Sequence, residues 1–89
     1  MSADERRLDG NAIGGLLHEV FGVEMTVSTS VCSACGAAEE IARLHVYVDA
    51  PGAVVRCSHC EAVLMCVVRA PGRTFLSLRG LRTLTIEHR

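Results

Sequence analysis

Two cysteine pairs, Cys32-Ser33-Ala34-Cys35 and Cys57-Ser58-His59-Cys60, stand 21 residues apart in a chain of 89, and nothing else in the sequence restricts the fold so tightly. Two residues between cysteines let a tight turn aim both sulfurs at one point while the turn's amide hydrogens face them. Two such turns complete a tetrahedron around a single ion, at a metal–sulfur distance of about 2.3 Å. The intervening residues are what one hairpin needs to travel out and back. The spacing therefore predicts a four-thiolate metal site built from Cys32, Cys35, Cys57 and Cys60, with the two turns side by side.

Other uses of these cysteines fit the pattern less well. A thioredoxin-like redox centre needs one such pair opening a helix after a strand, with the helix dipole activating one thiol, whereas both pairs here are flanked by β pattern. Cys66 falls inside the apolar run Ala62–Val68 and reads as a small hydrophobe in a strand. His59 lies between two cysteines, where the turn points its side chain outward. Zn2+ is the expected ion, one per chain and structural. An iron site of rubredoxin type uses the same ligands, but the turns carry Ser33 and Ser58 where such sites carry proline. Four protein ligands leave no coordination position for water, which disfavours metal catalysis. His18, His45 and His88 have no sequence neighbours that complete an acid/base or nucleophile group. The expectation is no enzyme.

Composition sets the surroundings of the site. A single core of this length supplies only a few kcal/mol of net stability, so a metal staple is expected. With no Trp, one Tyr and two Phe, that core must be aliphatic. The polar opening MSADERRLDG has no apolar signal core after it, and no run approaches the roughly 18 residues that cross a bilayer, so a cytoplasmic protein without membrane contact is expected. Thiols stay reduced in that compartment, and an odd number of cysteines also favours ligands over disulfides.

Along the chain, residues 1–8 are expected to be disordered and 9–86 to form a single domain. In NAIGGLLHEVFG the residues Ile13, Leu16, Leu17, Val20 and Phe21 make one helical stripe, predicting a helix over 10–21 with Asp9 as its start cap and Gly22 at its end. Gly14 and Gly15 inside it permit close packing on a sheet or on a second copy, which leaves a homodimer open. Strands are predicted at about 25–31, 41–48, 53–57, 62–69 and 73–79. Thr26, Ser28 and Ser30 are taken as an exposed face of the first. Pro51-Gly52 suits a type II turn, and the same APG triplet recurs at Ala70–Gly72. Ala62–Val68 is apolar at every position and predicts a strand buried on both faces. The fold class is small α+β, mainly β: an antiparallel sheet of two hairpins stapled by one four-cysteine site, with the amphipathic helix packed on it.

The paired CxxC turns resemble the zinc ribbon, a β-hairpin fold found in many small transcription, translation and ribosomal modules, and the four cysteines match its ligand positions one by one. Glu61 departs from that pattern, because the residue after a knuckle's second cysteine often needs positive φ and is glycine, as at Gly36; a distorted second turn is expected. The longer pattern LDGNAIGGLLHEVFGVEMT, CxxCG, LHVYVDAPGAVVRCSHCEAVLM and RTFLSLRGLRTL resembles a family of short actinobacterial proteins known only as a domain of unknown function, over nearly all of residues 8–84. That resemblance implies a self-standing protein and brings no activity with it.

Charge separates the remaining readings. All nine basic residues are arginine; residues 1–61 hold four of them against nine carboxylates, and residues 62–89 hold five against Glu87. A structural or regulatory module that docks an unknown protein partner fits the closed site and the slight negative net charge. The alternative is a nucleic-acid-binding ribbon using Arg69, Arg73, Phe75, Arg79 and Arg82 on the C-terminal strands. A thiolate redox or zinc sensor, or an iron electron carrier, is the remaining option.

Overall fold

The computed structural model describes residues 7–49 and 51–87. It is a small, mostly β protein with two antiparallel sheets and one short helix, and the four cysteines lie in the β region. The chain runs β1 (Arg7–Asp9), a 3-10 turn (Gly10–Ile13), α1 (Gly14–Phe21), β2 (Thr29–Cys32), β3 (Ala38–Glu40) and a second 3-10 turn (Ile41–Arg43). It continues with β4 (His45–Asp49), β5 (Gly52–Arg56), β6 (Val63–Ala70), β7 (Arg73–Ser77) and β8 (Leu81–Thr85). The larger sheet has the order β1-β4-β5-β6-β7 and the smaller β3-β2-β8.

One side of the larger sheet builds the core. Val46, Val55, Met65 and Val67 are fully buried beneath Ile13 and Leu17 of the helical segment and beside Met25, Ile41, Leu44 and Leu64. Each such side chain contributes about 1.5–3 kcal/mol by leaving water. The helical segment is stopped at both ends by its sequence: the Asp9 carboxylate accepts a hydrogen bond from the Asn11 amide at 3.1 Å, and Gly22 takes a left-handed φ of 77° while its amide donates to the His18 carbonyl. Its first turn is 3-10, and regular α-helix begins only at Gly14. Gly14 lies against Thr26, whose methyl carbon would stand 3.1 Å from an added Cβ, whereas Gly15 faces open space. Among the described residues, no helix is long and apolar enough to cross a membrane.

Several expectations change. The strand expected at 25–31 is only Thr29–Cys32, and Thr26, Ser28 and Ser30 are buried rather than exposed. For Ser30 the reason is parity: side chains alternate along a strand, so Cys32, which is 1% exposed, fixes Ser30 on its own inward side, whereas Thr26 and Ser28 lie in the turn before β2, where the Ser28 amide donates to the Met25 carbonyl at 3.0 Å. Both serine hydroxyls are satisfied, Ser30 donating to the Glu39 carbonyl at 2.8 Å and Ser28 to the Met25 sulfur at 3.7 Å. Residues 41–43, expected as strand, form a 3-10 turn instead, and β3 and β1 are strands that the periodicity did not reveal. Of the segment expected to be disordered, residues 1–6 lie outside the described residues, while Arg7 and Leu8 pair with Tyr47 and Val46.

The two APG triplets are also unlike. Gly72 has φ 76° and joins β6 to β7, with Ala70 opposite Arg73, as a type II turn requires. Gly52 has no positive φ; it already belongs to β5, opposite Asp49, and glycine is needed there because an added Cβ would sit 2.9 Å from the Val67 carbonyl oxygen. Finally, the all-apolar run of β6 is not covered on both faces. Leu64, Met65 and Val67 are buried, but Val63 is 40% and Val68 39% exposed, and Cys66 is only half-buried.

Candidate metal centre

Each CxxC sequence forms the tip of a hairpin. Val31 pairs with Ala38 below the first tip and Arg56 with Val63 below the second, so one tip belongs to the small sheet and the other to the large one. The two tips have the same backbone wiring. The Cys32 amide donates to the Ala37 carbonyl at 3.0 Å and the Gly36 amide returns to Cys32 at 2.9 Å; the Cys57 amide donates to Ala62 at 2.9 Å and the Glu61 amide returns to Cys57 at 3.0 Å. Inside the turns the Ala34 amide donates to the Cys32 sulfur and the His59 amide to the Cys57 sulfur, both at 3.3 Å.

The expected distortion of the second turn is absent. Glu61 adopts φ 65°, close to the 78° of Gly36, and is the one non-glycine residue with positive φ among the described residues. Such a conformation costs about 1 kcal/mol or more and persists only where the surroundings hold it. Here they do: the Glu61 carboxylate receives His45 Nδ1 and, at 3.1 Å, the Tyr47 hydroxyl, while Arg56 donates to its carbonyl at 2.9 Å. His45 and Tyr47 are outward residues of β4, and Arg56 sits opposite His45 on β5. His45, which has no sequence neighbour that completes a catalytic group, is thus part of the frame of the second turn. The signal lay in Glu61 itself, an acid standing where the first turn has glycine.

All four sulfurs lie within 4.8 Å of one another, with Cys32 to Cys60 and Cys35 to Cys57 each 3.7 Å apart. A tetrahedron with arms of about 2.3 Å has edges of about 3.8 Å, so the thiols already stand close to ligand separation. Cys32 and Cys57 are buried, whereas Cys35 and Cys60 reach the surface. Their proton affinities diverge: the Cys35 amide, helped by that of Ala34, holds the Cys32 thiol down to about 7 despite burial. Although the Ala62 amide favours its thiolate, Cys60 is pushed up to about 12 by desolvation and by Cys35, Cys32 and Cys57, and Cys35 is raised in a similar way. Four negative sulfurs crowded together need a cation among them to ionise jointly, so the donor set fits a metal ion.

The hairpin tips are tied to each other by more than sulfur. His59 faces outward, as expected, and its Nε2 lies 3.4 Å from a Glu39 carboxylate oxygen on β3. Gly80, between β7 and β8, donates to the Leu64 carbonyl at 3.1 Å and accepts from the Ser33 amide at 3.0 Å, joining the large sheet to the first turn. Sequence reasoning missed it, since a lone glycine near a strand end carries no other mark.

The C-terminal residues considered for nucleic-acid contact do not gather. Arg73 and Phe75 share the outward face of β7, with the guanidinium 5.9 Å from the ring centre. Arg69 alternates to the opposite side and reaches Glu19 of α1 at 3.3 Å; Arg79 lies beyond the end of β7, and Arg82 lies on β8 of the other sheet. Cys66 is outside the cluster, as the spacing suggested, and His88 lies outside the described residues.

Fold and site together define a class: a small two-sheet β protein whose paired hairpin tips carry a four-cysteine cluster able to hold one metal ion. The chain belongs to a family of unknown function, DUF6510, whose family model matches residues 3–89. No curated protein and no solved structure matches it.

Proposed function

We propose that this is a non-enzymatic, zinc-ribbon-like protein in which one structural Zn2+, held by Cys32, Cys35, Cys57 and Cys60, locks two hairpins into a rigid module for docking another protein. The observation that carries the reading is the pair of 3.7 Å sulfur–sulfur edges, the separation that a tetrahedral zinc–thiolate site demands. Zinc suits this all-thiolate set because it has no redox chemistry to manage and no geometric preference beyond the tetrahedron. When bound, it supplies folding energy and charge neutralisation; the thiolates fill its coordination sphere and leave no place for a substrate. A reducing cytoplasmic setting suits a chain with five free cysteines.

The arginines support protein docking over nucleic acid. Arg69 is committed to Glu19, and the others sit on separate elements, so they form no continuous track for a phosphate backbone. The test is elemental analysis of the purified chain together with affinity purification from native cells. One zinc per chain and a partner recovered with the metal-loaded protein are the expected results. Iron in place of zinc, or no partner under any condition, would overturn the reading.

A further inference from the structure

The outward face of the larger sheet differs from the polar surface that a half-solvated antiparallel sheet carries. Two cross-strand rows define it: Arg7, Tyr47, Val54, Cys66 and Ser77 in one, Asp49, Gly52, Val68 and Phe75 in the other, with the apolar positions gathered on β5, β6 and β7. Phe75 is 55% exposed and Val68 remains open to solvent, in contrast to the covered side beneath α1. Between Tyr47, Val54, Cys66 and Val68 lies a shallow apolar depression of about 280 Å³, open at Gly52 because that residue has no side chain. At one end of this strip the Arg56 guanidinium lies 5.7 Å from the Tyr47 ring centre; at the other, Arg73 lies over Phe75. Glu61 also borders the strip, but its carboxylate is engaged by His45 and Tyr47.

We propose that this face docks an extended segment of another protein, with one large apolar side chain seated in the depression and carboxylates on both flanks. The proposal rests on the reading of the chain as an interaction module and names its surface and the chemistry of its partner. The register separates Arg56 from Arg73 by roughly 20–25 Å, which about seven extended residues span. Each arginine is held against an aromatic ring, so it meets a carboxylate with less side-chain freedom left to lose. Aromatic and arginine side chains around a small apolar floor are the composition of interface centres.

Charge also decides between occupants. A second copy would bring the same face, with arginines at both ends, against itself, and like charges in an interface cost affinity. Arg69 reaches Glu19 on the helix side and Arg82 lies on the other sheet, so neither adds a cation to this face for a nucleic-acid strand to meet. An acidic, apolar protein segment satisfies the floor and both arginines at once.

The experiment is selection of random twelve-residue peptides displayed on phage against the full-length, zinc-loaded chain, followed by titration of the best synthetic peptide. Enriched sequences should place Asp or Glu three or four residues to either side of a Leu, Ile or Phe. Binding should weaken at least tenfold with Arg73→Glu and with Phe75→Ser, and also with added salt, while zinc content and melting temperature stay unchanged in both variants. No enrichment, enrichment without acidic flanks, or affinity indifferent to both variants overturns the proposal. So does binding of a twelve-nucleotide dT oligomer, or self-association in sedimentation, that either variant abolishes. A native partner whose binding survives both variants refutes this face and leaves the interaction reading standing; absence of any native partner refutes that reading itself.

Discussion

Gly80→Ala should be among the most damaging substitutions available in this protein, although Gly80 is only half-buried and has no side chain. A Cβ built on it would stand 1.9 Å from the Val63 carbonyl oxygen and 2.7 Å from the Leu64 Cα. Neither neighbour is a flexible side chain, so backbone must move by more than 1 Å to reach ordinary contact, which begins near 3.4 Å. That movement breaks the geometry of the two hydrogen bonds Gly80 makes, to Leu64 and from Ser33, each worth about 1 kcal/mol net. Overpacking adds about 1–3 kcal/mol, for a total of about 3–5 kcal/mol. Against a domain stability of about 0.05–0.15 kcal/mol per residue, or roughly 5–13 kcal/mol for a chain of this length, the loss is a large fraction. Because the Ser33 amide belongs to the first cysteine turn, the variant should also hold zinc more weakly. Urea unfolding of the zinc-loaded chains and competition with a chromophoric chelator read the two effects separately. A destabilisation below about 1 kcal/mol with unchanged zinc affinity would refute the steric argument.

Gly15→Ala, in a helix position with nothing within 4 Å of the new methyl, should instead stabilise by about 1 kcal/mol in the same unfolding assay. Cys57→Ser and Cys60→Ser should lose the bound metal and the fold together, whereas Cys66→Val should keep one zinc per chain by elemental analysis; metal loss in the Cys66 variant would mean that a different set of four holds the ion. Glu61→Ala loses the contacts to His45 and Tyr47 yet keeps the cost of φ 65°, while Glu61→Gly loses the same contacts and removes that cost, so denaturation should find the glycine variant more stable by about 1 kcal/mol. Zinc affinity should fall as pH falls, because protons compete with the ion for sulfur. Between pH 8 and 7 the Cys60 thiol, at about 12 without metal, and the Cys35 thiol, raised above its ordinary value, must both shed their protons to bind, which gives about a hundredfold per unit; below about 7, where Cys32 also takes up a proton, the dependence steepens. A flat profile from pH 8 to 6 would contradict this.

Legibility of the fold followed the range of the interactions. The two CxxC spacings specify four converging sulfurs because the geometry is local: a turn of two residues aims its own cysteines, and a hairpin returns the chain. The helical stripe with its caps at Asp9 and Gly22 is equally local, as is the type II turn at Gly72. Short pairings such as β1 with β4 and β3 with β2 were invisible, since three residues carry no periodic signal and depend on the partner strand. The hydroxyl at Ser30 was assigned to the wrong side because polarity was weighed before parity with Cys32, and that at Ser28 because the turn before β2 was taken for strand.

The sequence by itself determined which four cysteines cluster, their grouping in pairs and the mainly β character, all consequences of neighbours a few residues apart. Only the tertiary structure decided which side of β6 is covered, how an acid at position 61 holds a conformation suited to glycine, and where the arginines fall. Those outcomes depend on contacts between segments distant in the chain: β4 holding the second turn, Gly80 wedged between two sheets, and a helix that covers one face of the sheet while leaving Val68 and Phe75 open on the other.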